Sequence, residues 1–101
     1  MALPKFRTYQ LAVQFNRSCA TLRLPVHLRD QFARACSSVA LNLAEGSAKP
    51  TELDRRRFYA IALASFRECQ AVLDLAPTAS AELLAQADHL GASLYRLTHP
   101  R

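Results

Sequence analysis

Leu43-Ala44-Glu45-Gly46-Ser47-Ala48-Lys49-Pro50-Thr51-Glu52-Leu53-Asp54 holds a helix stop followed at once by a helix start. Glycine at position 46 suits the left-handed C′ position that closes a helix, because it has no Cβ to clash there. Pro50 cannot continue a helix. Thr51 then offers a side-chain oxygen to the first turn of the next helix, with Asp54 three residues on, close to a capping box. This segment therefore reads as a short turn between two long helices, and short connections make sequential helices antiparallel neighbours.

The same punctuation recurs outward from this turn. Helices are predicted over residues 5–22, after Pro4, and 26–45, after Pro25. Two more are predicted over 52–75, stopped by Pro77, and 79–97, capped by Thr78 or Ser80. The third is roughly 36 Å long at 1.5 Å per residue. At 100° per residue, Leu28, Phe32, Ala35, Cys36, Val39 and Leu43 gather on one side of the second helix. Phe58, Ile61, Ala62, Cys69, Val72 and Ala76 do so on the third. Leu83, Leu84, Ala87, Leu90, Gly91 and Leu94 do so on the fourth, where Gly91 lets a neighbour approach closely. The first helix has a wider apolar arc that includes Phe6, Tyr9, Leu11, Phe15 and Cys19. The predicted fold is all-α, an up-down-up-down antiparallel four-helix bundle forming one domain over residues 1–101.

Composition agrees. Half of the residues are apolar, only two are glycine, and none is tryptophan. The net charge of +5 is uneven: residues 1–50 carry seven Lys/Arg against Asp30 and Glu45, whereas residues 51–101 carry six against six. A basic excess of this kind points to polyanion partners. Cys19, Cys36 and Cys69 are odd in number and lack metal-ligand spacing, which fits buried free thiols in a reducing cytoplasm. Polar and charged residues from Gln10 to Arg17 interrupt any apolar leader, and no run approaches the ~20 apolar residues of a membrane span.

No constellation of catalytic type is present. His27, His89 and His99 lie in different segments, with Asp30 three residues after His27 the one acidic or cysteine residue at i+3 or i+4 from any of them, and Ser37 and Ser38 lack a nucleophile-elbow context. No metal, cofactor or enzymatic activity is expected. Ser38, Asn42 and Glu45 recur along one edge of the second helix, and Ser65 and Glu68 on the core side of the third. Partly buried polar groups need partners, so these five are expected to form a structural network. The sharper reading, Glu45 and Glu68 as a catalytic carboxylate pair, lacks a metal triad or cleft. Leu41 and Leu63 fall opposite the core faces of their helices and mark a candidate self-association surface. Arg55, Arg56 and Arg57, near Lys49, place cations at a helix N-terminus against the macrodipole. Phosphate contact would account for them, with Arg29 and Arg34 as further candidates.

The run from Gln31 to Gly46 resembles the signature Q-[IL]-x-R-A-x-x-S-[IV]-x-x-N-[IL]-A-E-G of the four helix bundle protein family. That family is also called the 23S ribosomal RNA intervening-sequence protein family. A second signature, an aromatic followed by A-x-[GA]-S-x-x-E, is similar to Phe58, Ala62, Ala64, Ser65 and Glu68. The resemblance covers about residues 6–76, with Ala64 and Cys69 departing from the usual residues. It implies an up-down bundle and a ring-like homopentamer. It also implies kinship with the accessory variability determinant of diversity-generating retroelements, a basic pentamer working with a reverse transcriptase and nucleic acid. The expectation is a cytoplasmic, non-enzymatic homo-oligomer that binds RNA or DNA, with a reverse transcriptase as partner if retroelement-associated. The alternative is an interaction module for an acidic partner protein.

Overall fold

The structure, a computed structural model, describes residues 2–76 and 78–100. A 3-10 turn, Leu3–Lys5, precedes four helices: α1 (Arg7–Cys19), α2 (Val26–Ser47), α3 (Glu52–Leu75) and α4 (Ala81–Thr98). No strand occurs among the described residues. Consecutive helices pack against each other and α4 returns to α1, which closes a four-cornered bundle about 40 × 23 × 23 Å in extent. The α2–α3 pair is much the most extensive contact.

The starts of α3 and α4 follow the capping chemistry. The Thr51 side chain accepts from the Asp54 amide at 3.2 Å, and the Ser80 side chain accepts from the Leu83 amide at 3.1 Å. The first helix is shorter than predicted at both ends. Its N-cap, Phe6, is extended rather than helical, and its ring is buried against Tyr59 at a centroid distance of 5.7 Å. Burial of the ring thus competes with another helical turn. At the other end the chain tightens beyond Cys19, and the Leu22 amide donates to the Cys19 carbonyl. Pro77, the expected stop of the third helix, lies outside the described residues; α3 ends at Leu75, with the Ala76 amide donating to Val72.

Gly46 does not take the left-handed position. No described glycine has positive φ, and α2 runs through it to Ser47. Its role is spatial: a Cβ there would lie 2.8 Å from Tyr59 Cε1 and 2.9 Å from Phe58 Cβ. Gly91 serves α4 in the way expected, since a Cβ would meet Phe66 Cε2 at 2.9 Å. Phe66 in turn meets Phe15 edge-on at 5.7 Å, an arrangement favoured by the ring quadrupoles. Around these rings lie Cys36, Val39, Leu43, Cys69, Leu90 and Leu94, all fully buried. Thr8 and Ser93 share a buried hydroxyl hydrogen bond of 2.6 Å that ties α1 to α4.

On α3 the core stripe is Tyr59, Ala62, Phe66, Cys69 and Leu73, alternating steps of three and four. Ala62, Cys69, Val72 and Ala76 of the predicted face are buried, and the addition of Tyr59, Phe66 and Leu73 rotates its centre. Ile61, expected inside, is 48% exposed, and Leu84 on α4 is 47% exposed. The same rotation brings Leu63 to the α4 flank, where it is half-buried and packs against the core instead of lying opposite it. Leu41 does face outward.

Gly46→Ala adds a methyl where buried rings leave no room. It is expected to lower stability by about 1–3 kcal/mol through overpacking, more than the ~1 kcal/mol that alanine's helix propensity returns. Urea unfolding reads this directly, and an unchanged or higher midpoint would show that Tyr59 yields freely.

Candidate functional site

Antiparallel packing of α2 on α3 sets Ser38 opposite Ser65, with their hydroxyl oxygens 2.8 Å apart. Asn42, one turn further along α2, donates from Nδ2 to the Ser38 carbonyl at 2.8 Å and to Ser38 Oγ at 2.9 Å. A hydroxyl has one proton and two acceptor sites, so Asn42 can donate into Ser38 while Ser38 donates to Ser65. These three residues are partly buried and form a closed hydrogen-bonded group.

The two glutamates expected in the same network stand outside it. Glu45 is exposed and pairs with Lys49 at 3.4 Å. Glu68 is exposed and accepts from Gln31 Nε2 at 3.4 Å. From the Ser38–Ser65 level, Glu45 lies two turns toward one end and Glu68 one turn toward the other. The helical rise puts them roughly 15 Å apart along the bundle. Two carboxylates at that separation share neither a proton nor the two faces of one scissile bond.

The cations of the α2–α3 turn are held in a specific arrangement. Lys49 sits over the Phe58 ring, 5.0 Å from its centroid, besides pairing with Glu45. Arg55 donates from Nη1 to the Lys49 carbonyl at 3.0 Å, which satisfies backbone left open beyond the end of α2. Arg56 pairs with Glu52 at 2.9 Å and Arg57 with Asp54 at 3.6 Å. Lys49, Arg55 and Arg56 line one cleft of about 610 Å³, together with Ser47, Tyr59 and Arg96 of α4. Glu52 is the one carboxylate in that lining. Burial raises the Tyr59 pKa, and the neighbouring Arg55 charge opposes that rise. The phenol therefore stays a hydrogen-bond donor at neutral pH.

Arg96 has no sequence-local link to the turn; only closure of α4 onto the other helices brings it there. The converse holds for Arg29. It lies twenty residues before Lys49 on nearly the same helix, roughly 30 Å away, and lines a cleft between α1 and α2 at the opposite end. Arg34 lines a shallow groove beside Ser38, Leu41 and Asn42. The six basic candidates thus divide among three places rather than gathering on one rim.

Cys36 and Cys69 meet across α2 and α3 with sulfurs 3.4 Å apart. Hydrogen bonding with Cys19 and Cys69, followed by burial, drives the Cys36 pKa far above the ordinary thiol range. Such a thiol supplies almost no nucleophilic thiolate. No group of three or more His, Cys, Asp or Glu among the described residues is arranged to hold a metal ion. His27 and His89 are exposed, while His99 stacks on Tyr95 at 3.9 Å.

Asn42→Ala removes two donated hydrogen bonds from a partly buried carbonyl and hydroxyl. The expected cost is about 1–2 kcal/mol in chemical denaturation, with the helical circular-dichroism signal retained. Ser65→Ala, which leaves the Asn42–Ser38 bonds in place, should cost less.

No described helix is long and apolar enough to cross a membrane. None of the curated proteins matches the chain. The profile of the family described as 23S rRNA-intervening sequence protein matches residues 5–96, a span that takes in α1 to α3, all but the last two residues of α4, the serine–asparagine group and the basic turn. The chain therefore belongs to the 23S rRNA-intervening sequence protein family.

Proposed function

We propose that this protein is a non-enzymatic, homo-oligomeric accessory factor that binds nucleic acid through phosphate contacts at the α2–α3 turn. The observation that carries this reading is the convergence of Lys49, Arg55, Arg56 and Arg96 on one cleft whose lining holds a single carboxylate. Arginines fixed by local hydrogen bonds keep donors available for phosphate oxygens at low ordering cost. Arg57, 74% exposed at its side chain, extends the same surface. A helical bundle presents no dedicated groove reader, so contacts would be to backbone and largely sequence-tolerant.

Self-association is supported by a second feature. The outward face of α3 carries exposed Leu53, Ala60, Ile61, Ala64, Ala71 and Leu75, interrupted by Arg57 and Glu68, and Leu41 of α2 is exposed as well. An apolar face of this length calls for a partner, and a second copy is the simplest one. The homopentamer implied by the family resemblance would multiply a +5 chain to +25.

Two measurements test the reading. Fluorescence anisotropy with unrelated RNA and DNA oligomers should show binding at ~50 mM salt that weakens steeply by ~200 mM, through counterion release. Replacing Arg55, Arg56 and Arg57 by Gln should reduce affinity about tenfold or more for every sequence alike while the helical signal persists. Absence of binding at low salt would leave an acidic protein partner as the reading. Sedimentation equilibrium should give a multiple of 11.2 kDa, near five. Ile61→Glu should shift it toward the monomer, because Ile61 is exposed and the charge costs little within one chain.

A further inference from the structure

We infer that the cleft between α1 and α2, at the end remote from the basic turn, is a binding site for a small amphiphilic carboxylate. The cleft measures about 770 Å³, within the range of small-molecule sites. Its floor is apolar and includes Phe32 and Cys36, with Leu22 and Leu24 from the α1–α2 connection. Arg17, Arg23 and Arg29 stand in its lining, and no Asp or Glu shares it. All three arginines are exposed, and none forms an ion pair among the described residues.

This contrasts with the other end of the bundle, where Lys49, Arg56 and Arg57 each have a carboxylate within 4 Å. A concave apolar wall excludes water and focuses the field of nearby cations, so an anion at its mouth is attracted more strongly than on a flat surface. A guanidinium recognises a carboxylate with two parallel hydrogen bonds. The apolar floor supplies what a bare inorganic anion would not use, room for a hydrocarbon body. Head and body are both needed, which sets the ligand class. The inference does not depend on nucleic-acid binding at the α2–α3 turn.

Calorimetric titration of the full chain with decanoate tests it, with acetate and decanol as probes lacking body or charge. Decanoate should bind about tenfold tighter than either. The double variant Arg23→Gln/Arg29→Gln should lose about tenfold in decanoate affinity and leave decanol unchanged. Ala33→Phe, which fills the cleft from an exposed position, should abolish binding without lowering the melting temperature. Equal affinity for decanol and decanoate would overturn the carboxylate assignment, as would arginine variants that bind normally. No decanoate binding at millimolar concentration would overturn the site itself. Displacement of decanoate by an oligonucleotide that the Arg55/Arg56/Arg57 variant still binds would reassign the cleft to phosphate backbone.

Discussion

The close approach of α2 to α3 governs the rest of the structure. It is possible only because the facing residues are small: Gly46 beneath Tyr59, Ser38 against Ser65, Cys36 against Cys69. Close packing brings dispersion contacts that a wider spacing forfeits, and it desolvates the polar groups caught between the helices. Those groups then have to satisfy each other, which the serine–asparagine group does. Its hydrogen bonds form in one register alone. A slide of one turn would part Ser38 from Ser65 and drive the Gly46 site against side chains it cannot accept. The pairing also brings the ends of α2 and α3 together, so that Arg55 can reach the Lys49 carbonyl and hold the basic turn in shape.

Much of this was legible in the residues, for identifiable reasons. Capping and proline chemistry are local, so Thr51 and Ser80 mark helix starts without knowledge of the fold, and α3 matches its expected span. The wheel for α2 also holds, because its apolar residues are narrowly spread. On α3 apolar residues occur nearly all round. Periodicity alone then leaves the core direction open, and Ile61 and Leu63 exchange their expected roles. Gly46 shows a different ambiguity. Helix closure and close approach both call for glycine, and only the position of Tyr59 decides between them. Glu45 and Glu68 share an edge with Ser38 and Ser65, yet each long side chain reaches water and finds a local partner there. Thr8, Ser93 and Arg96 carry no local sign of their roles, since Thr8 and Ser93 bond to each other and Arg96 shares its cleft with residues far away in the chain.

Membership of a family describes architecture, and the work such a bundle does depends on what is mounted on it. Here the mounting is electrically uneven. The outer parts of α1 and the first half of α2 are rich in arginine with no ion pair among the described residues, whereas α4 carries Glu82 and Asp88 against Arg96. The α2–α3 turn lies between these extremes, with dense charge of both signs. Lys49, Arg56 and Arg57 are held by local ion pairs and Arg55 by the Lys49 carbonyl, which orients them. Arginine on the α1–α2 side is the reverse, without an ion pair among the described residues. The proposed phosphate contacts rest on the first kind of positive surface and the proposed carboxylate site on the second.

All three ion pairs among the described residues join positions three or four apart on one helix or its immediate end. None bridges two helices. Apart from the exposed Gln31–Glu68 hydrogen bond, tertiary structure therefore owes its cohesion to oil-like burial and short neutral hydrogen bonds, which electrolyte scarcely touches, whereas the cationic exterior answers to every change in counterion concentration. Folding and electrostatic attraction consequently sit on separate experimental axes. Ionic strength becomes a clean dial on what the surface attracts, turned without loosening the scaffold that displays it.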